Sequence, residues 1–192
     1  MPSASERSPA GQTGHLKTSF EVELAGLEPA TSWCPMPSAP RRDTARAMSQ
    51  ENVEIVRRGY AAMVRGFDQG DFERGDFEVA LFEWLDPEID WRGPKEFPDL
   101  AQSRFGHDGV REYIAILTEA IEDYRMTPEE FIDAGGDQVL VFSREGGRGK
   151  GSGAEVVTQP TAHLWTIRDG KAIRLRSYWE RSDALKAAGL RE

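Results

Sequence analysis

The spacing of apolar residues changes along the chain, and this change most restricts the folds that it can adopt. Between about residue 50 and residue 124, three segments have helical spacing. It predicts a first helix from about Gln50 to Phe67, a second over Phe77 to Leu85, and a third that Asp108 caps and that extends to Tyr124. The apolar face of the first helix contains Val53, Val56, Tyr60, Met63, Val64 and Phe67. Tyr60 is therefore expected to point inward.

The second half of the chain is strand-like. The segments "MTPEEFIDA", "DQVLVFSRE", "AEVVTQPTAHLWTIRD" and "KAIRLRSYW" are separated by turn signals that favour antiparallel hairpins. A short strand, "EIDW", precedes the third helix, and "SDALKAAGL" is predicted as a closing helix capped by Ser182. Because the helices come first and a meandering antiparallel sheet follows, the chain is predicted to have an α+β fold. Such a fold lacks the dinucleotide-binding crevice of parallel α/β sheets.

The first 47 residues differ from the rest. They are rich in Pro, Ser and Gly without a sustained apolar period, which is typical of disorder. All of the formal net charge of −9 falls in residues 48–192. We therefore expect one domain over residues 48–192. One hypothesis is that translation starts at Met48; the alternative is that residues 1–47 are a genuine flexible tail or transit peptide.

Composition disfavours several functional classes. An acidic surplus argues against binding to nucleic acids or anionic membranes, and no run of about 18 apolar residues or secretory signal is present. The single cysteine, Cys34, allows neither a disulfide framework nor a multi-cysteine zinc site, and the three histidines lack ligand spacing. We expect a cytoplasmic protein without a metal.

The glycine-rich stretch "REGGRGKGSGAE", from Arg144 to Glu155, raises the question of phosphate binding. A P-loop requires Ser or Thr after Gly149-Lys150, where Gly151 stands, and a dinucleotide motif fails at Ser152 and Ala154. A β-branched strand follows instead of a helix. The stretch is predicted to connect two strands, and no cofactor is expected.

Several phrases identify a resemblance. "ENVEIVRRGYAAMVRG", "FGHDGVREYI", "GRGKGSG" and "AHLWTIRDGKAIRLRSYWERSDALKAAGL" resemble the SnoaL-like branch of the nuclear transport factor 2-like superfamily, over about Met48 to Leu190. The resemblance implies a cone-shaped, curved antiparallel sheet wrapped around N-terminal helices and enclosing an apolar pocket. It also implies a homodimer through the sheet. Members of the superfamily include ketosteroid isomerases, polyketide cyclases and dehydratases, besides many proteins without a known reaction.

The isomerase pattern of this superfamily does not fit the chain. The resemblance assigns its tyrosine, base and protonated aspartic acid to the positions of Gly59, Trp91 and Ala162. Tyr60, Asp90 and His163 each stand one position away. Because a one-residue offset in a strand reverses the side-chain direction, ketosteroid isomerisation is not expected.

A cyclase of this family would use a general acid and a general base beside a carbonyl group. Asp90 is the candidate base because Trp91 makes its surroundings partly apolar, His163 is the candidate acid, and Tyr60 is a candidate oxyanion donor. The predicted pocket residues are Tyr60, Trp91, Leu175, Ser177 and Trp179. Structural roles remain open: Asp90 as a solvated strand residue, His163 at a dimer interface and Tyr60 as a core tyrosine.

Two functions follow from these expectations. The first is a small domain that binds a small hydrophobic or aromatic molecule and acts as a cofactor-independent isomerase, cyclase or lyase. The second is a ligand-binding or association module of the same fold without chemistry.

Overall fold

The structure is a computed structural model that describes residues 42–69, 75–157 and 160–191. Residues 39–192 form one compact unit. Of the first 47 residues, for which we expect disorder, the structure describes only 42–47, and these are helical; Cys34 lies outside the described residues.

Four helices and seven strands make up the described chain. The helices are α1 (Arg42–Gln69), α2 (Gly75–Phe82), α3 (Gly106–Ala120) and α4 (Arg181–Ala187). The strands are β1 (Leu85–Arg92), β2 (Ser103–Phe105), β3 (Ile121–Gly135), β4 (Gln138–Gly149), β5 (Glu155–Val157), β6 (Thr161–Arg168) and β7 (Lys171–Tyr178).

The strands form one sheet in the order β2-β1-β7-β6-β4-β3, with β5 paired to β4. The sheet is curved, and its end strands β2 and β3 do not pair, so it is not closed. Three register shifts between β3 and β4 add local bends. The α+β prediction is confirmed. One pairing departs from a purely antiparallel sheet, because β1 runs parallel to β7.

Three of the predicted helix starts are wrong. Helix α1 begins at Arg42 rather than near Gln50, and Phe105 rather than Asp108 precedes α3. Asp108 instead lies in the first turn, where its carboxylate accepts a hydrogen bond from Arg111 at 2.5 Å. Glu180, not Ser182, precedes α4. At α3 and α4, a polar residue in the first turn resembled a cap in the sequence.

The predicted ends of two helices are also wrong. Helix α2 ends at Phe82, so that Leu85 already belongs to β1, and Pro87 lies within that strand. Helix α3 ends at Ala120, which places Tyr124 in β3. The apolar face of α3 and the inward residues of β3 lie against the same core. Their apolar residues therefore follow one another in the sequence at a spacing that predicts a single longer helix.

The sheet is covered on both faces. Its concave face packs on α1, α2 and α3 and forms the larger core, which includes Tyr60, Trp91, Val141 and Trp165. On the other face, α4 packs against β4 and β6 in a smaller cluster: Leu140, Phe142, Ala162, Leu164, Ala184, Leu185 and Ala188. In β4 and β6, apolar residues therefore occupy both faces.

The described helices include none that is both long enough and apolar enough to cross a membrane.

Candidate active site

A tyrosine from the first helix meets a histidine from the sheet inside the core. The hydroxyl of Tyr60 lies 2.6 Å from Nδ1 of His163, and Nε1 of Trp165 donates a hydrogen bond to the same hydroxyl at 3.2 Å. Tyr60 is fully buried and His163 is 8% exposed. The helical period of α1 points Tyr60 at the sheet, and the alternation of β6 turns His163 and Trp165 to the concave face.

A buried carboxylate extends this network. Oε1 of Glu145, near the end of β4, lies 3.3 Å from Nε2 of His163. The same oxygen accepts a hydrogen bond from the Thr161 hydroxyl at 2.8 Å, and Oε2 accepts one from the Tyr124 hydroxyl at 2.7 Å. The side chain of Glu145 is 13% exposed. Three elements, α1, β4 and β6, thus bring Tyr60, His163 and Glu145 into one hydrogen-bonded chain.

One arrangement of protons satisfies every contact in this chain. Trp165 donates to the Tyr60 oxygen and Tyr60 donates to Nδ1 of His163, which leaves the Nε2–H group of His163 directed to the Glu145 side, 3.3 Å from Oε1. The histidine is neutral in this arrangement. Its two nitrogens then have different roles, one as acceptor and one as donor.

Burial sets the protonation states. Desolvation lowers the pKa of His163, and the charge of Glu145 opposes that shift in part. Desolvation raises the pKa of Tyr60 and of Tyr124 well above the usual value, with the negative charge of Glu145 acting in the same direction. At neutral pH the histidine is therefore uncharged and both phenols keep their protons.

A small cavity of about 30 Å³ adjoins this chain. Most of its walls are apolar or aromatic. Its polar members are Tyr113, Tyr124, Glu145, His163 and Ser177, and the others are Met63, Phe67, Phe77, Leu81, Trp91, Ile114, Leu117, Met126, Trp165 and Leu175. The Ser177 hydroxyl is buried and makes no hydrogen bond to any described residue. Because buried hydroxyls are normally paired, this one is suited to a ligand or a water molecule.

The predicted pocket residues do not all line the cavity. Trp91, Leu175 and Ser177 line the cavity, and Tyr60 lies behind its His163 and Trp165 wall. Trp179 lies outside, in a second pocket of about 350 Å³ next to the cavity.

Asp90 is not brought to the cavity. Its carboxylate pairs with Arg176 and lies 3.7 Å from Arg174, and these arginines follow the outward alternation of β7. Trp91, the next residue in β1, points inward. Because neighbouring strand residues face opposite sides of a sheet, Trp91 and Asp90 cannot both reach the cavity.

Glu145 is the residue that sequence reasoning missed. It belongs to the glycine-rich stretch, which was predicted as a connection, but β4 continues through Gly149. The sequence does contain a pattern that includes Glu145, since Val139, Val141, Ser143 and Glu145 occupy alternate positions and therefore share one face of the strand. Leu140 and Phe142, on the other face, are also buried, so the pattern did not show which face is internal. Among the described residues, no cluster of three His, Cys, Asp or Glu side chains could hold a metal ion.

Comparison with known proteins identifies a family that matches this chain. A family profile described as "SnoaL-like domain" matches residues 56–175. No curated protein matches the chain.

Solved structures share the fold. TerC, co-crystallised with polyporic acid, is 26% identical with a TM-score of 0.55, and the match covers 72% of this chain and 98% of TerC. An NTF2-like protein from Burkholderia xenovorans LB400 is 28% identical with a TM-score of 0.52, over 72% and 95% of the two chains. A putative SnoaL-like polyketide cyclase from Jannaschia sp. CCS1 is 23% identical with a TM-score of 0.53, over 74% and 94%.

Proposed function

The chain belongs to the SnoaL-like domain family, and from this premise we propose that it binds a small hydrophobic or aromatic molecule and moves a proton on it without a cofactor. The reaction class is that of an isomerase, cyclase or lyase. The observation that carries the proposal is the buried chain Tyr60–His163–Glu145 beside an aromatic-walled cavity. Two structural neighbours support the substrate class: TerC was crystallised with polyporic acid, and the Jannaschia protein is described as a putative polyketide cyclase.

Glu145 takes the role of general base that the sequence suggested for Asp90. Its carboxylate removes a proton from a carbon next to a carbonyl group: the C–H bond breaks, an O–H bond forms on Glu145, and the electron pair moves to the carbonyl oxygen. The Ser177 hydroxyl, which lines the cavity without a partner, donates a hydrogen bond to that enolate oxygen. Glu145 then returns the proton to the substrate.

His163 and Tyr60 act through Glu145. The Nε2–H group of His163 fixes one carboxylate oxygen, and Tyr60 fixes the tautomer of His163 by donating to Nδ1. Both are positioning residues in this scheme. The neutral state of His163 matters, because a charged imidazolium next to Glu145 would stabilise the carboxylate and weaken it as a base.

The test is deuterium exchange of a simple bicyclic aromatic ketone, 2-tetralone, in D₂O, followed by proton NMR. We expect the wild-type protein to accelerate exchange of the α-protons, and Glu145→Gln to reduce that acceleration by about 100-fold or more. Asp90→Asn is the matched control and should leave it unchanged. Equal loss in both variants, or none in Glu145→Gln, would remove Glu145 as the base.

The second candidate function is a binding module without chemistry. It is favoured by the hydrogen bonds that both Glu145 oxygens already accept, which resemble a structural carboxylate. Saturable binding of 2-tetralone by the wild type, without faster exchange than in buffer, would support the binding module.

A further inference from the structure

A second, larger pocket adjoins the inner cavity. It lies beneath the loop of residues 93–102, which joins β1 to β2, and has a volume of about 350 Å³. Phe97, Leu100 and Trp179 are among its lining residues and do not line the inner cavity. Tyr113, Tyr124 and Glu145 line both this pocket and the inner cavity, so the two spaces share a wall.

The volumes decide where an organic molecule can lie. The inner cavity, at about 30 Å³, has room for one or two water molecules and not for a ring system. The outer pocket, at about 350 Å³, falls within the range of about 300–1,000 Å³ that is usual for small-molecule sites. Glu145 is the only acidic residue common to both described linings. A molecule in the outer pocket would therefore meet the hydrogen-bonded chain at its carboxylate end.

Two aromatic rings form an edge of the outer pocket. The ring centroids of Phe97 and Trp179 are 5.2 Å apart at an interplanar angle of 71°. Phe97 is 42% exposed, so part of its ring surface is available for contact with a ligand.

The loop that carries Phe97 is held in place. The Arg104 guanidinium, which is buried, donates to the backbone oxygens of Asp99 at 2.6 Å and Gln102 at 3.2 Å. The backbone nitrogen of Leu100 donates to the Phe97 oxygen at 2.9 Å. The aromatic edge is thus preorganised for a ligand.

Charge restricts the ligand further. The described lining of the outer pocket contains the carboxylates of Asp99 and Glu145 and neither Lys nor Arg. A buried anion would lack a cationic partner there and would approach like charges. The lining is otherwise largely apolar and favours a neutral, flat molecule.

We infer that the outer pocket is the subsite for most of the substrate: a neutral, flat molecule of two or more fused or joined aromatic rings lies against Phe97 and Trp179, with its reacting carbon at Glu145. The inference rests on the proposed function for the role of Glu145. The inner cavity, next to Ser177, then holds only the enolate oxygen of the substrate or a water molecule.

The experiment is a fluorescence titration with N-phenyl-1-naphthylamine, a neutral flat probe. We expect saturable binding to the wild type, and a dissociation constant raised about tenfold or more by Phe97→Ala and by Trp179→Ala. Phe105→Ala is the matched control, since Phe105 is 68% exposed and lines neither pocket. The sulfonated analogue, 1-anilinonaphthalene-8-sulfonate, should bind the wild type about tenfold more weakly. Circular dichroism checks that each variant is folded.

The inference is overturned if the wild type does not bind the neutral probe, if both aromatic variants bind it like the wild type, or if the sulfonate binds equally well. The two assays separate this result from the proposed chemistry, because deuterium exchange tests Glu145 whereas the probe titration tests Phe97 and Trp179. Probe binding that depends on Phe97 and Trp179, without any exchange, would leave the subsite standing and refute the proton transfer. Exchange with probe binding that is insensitive to both residues would refute the subsite alone.

Discussion

At the scale of single residues, the sequence located two members of the central hydrogen-bonded chain and missed the third. Tyr60 could be predicted as internal because the period of α1 is regular. His163 could be named but not oriented, because apolar residues fill both faces of β6. Glu145 could not be recognised, since its partners Tyr124 and Thr161 come from other strands and only the folded register brings them together. Asp90 faces two arginines because the neighbouring Trp91 takes the inward position.

The Tyr60 hydroxyl stabilises the fold as well as the site. In Tyr60→Phe, Nδ1 of His163 and Nε1 of Trp165 both lose their partner inside the core. We expect the free energy of unfolding in urea to fall by about 1–3 kcal/mol. Tyr178→Phe is the control, because the half-buried Tyr178 makes no hydrogen bond through its hydroxyl within the described residues. An equal loss in both variants would contradict this role.

His163 should make stability depend on pH. Burial lowers its pKa below that of the unfolded chain, which is about 6.5. Above about pH 6.5, His163 is neutral in both the folded and the unfolded state, and its full contribution to stability is present. In more acidic solution the unfolded chain takes up a proton that the folded protein does not, so the free energy of unfolding falls by up to about 1.4 kcal/mol per pH unit. Urea unfolding of the wild type and His163→Asn from about pH 8 to about pH 5 measures the difference between them. The free energy of unfolding of the wild type, relative to that of His163→Asn, should fall as the pH is lowered. A difference that does not change with pH would show that the histidine is not buried in its neutral form.

At the scale of elements, the existence of the main helices and strands was predictable and many of their ends were not. The capping residues were chosen from local chemistry, whereas the actual ends follow contacts with the sheet, as at Leu85, which pairs with Ala172 of β7. The glycine-rich stretch belongs half to a strand. Gly146, Gly147 and Gly149 lie in β4, and only the residues after Gly149 form the connection, where Gly151 and Gly153 adopt positive φ.

Gly59 shows how α1 is fitted to its neighbour. A Cβ atom at this position would lie 2.3 Å from the ring of Trp84, which packs on Trp165. On helix propensity alone, Gly59→Ala would stabilise α1 by about 1 kcal/mol. We expect the clash to prevail and the variant to lose about 1–3 kcal/mol, measured by urea unfolding.

The exposed neighbour Ala61 supplies the control for this change. Ala61→Gly alters propensity without a contact and should cost about 1 kcal/mol. A Gly59→Ala protein more stable than the wild type would show that Trp84 can move aside at little cost.

At the scale of the whole molecule, the order of helices and strands was enough to predict an α+β fold, and the resemblance supplied the curved sheet. The parallel pairing of β1 with β7 could not be predicted, because it joins segments from opposite ends of the domain. A homodimer through the sheet stays a prediction, as does a domain boundary at Met48.

All the buried side chains that the structure describes lie after Met48. The first buried side chain is Ser49, and the first buried apolar one is Ile55. We therefore expect a chain that starts at Met48 to fold with a melting temperature within about 4 °C of the full chain, as measured by circular dichroism. Failure of this shorter chain to fold would mean that residues before Met48 contribute to the domain.

The position of β6 has one more consequence. This strand is hydrogen-bonded to β4 and β7 along its two edges, the larger core covers one of its faces, and α4 covers the other. Its amide hydrogens should therefore exchange with solvent only when the whole domain unfolds. Fraying of helix ends would leave the backbone of His163 untouched, so the histidine is held on the longest-lived part of the native structure.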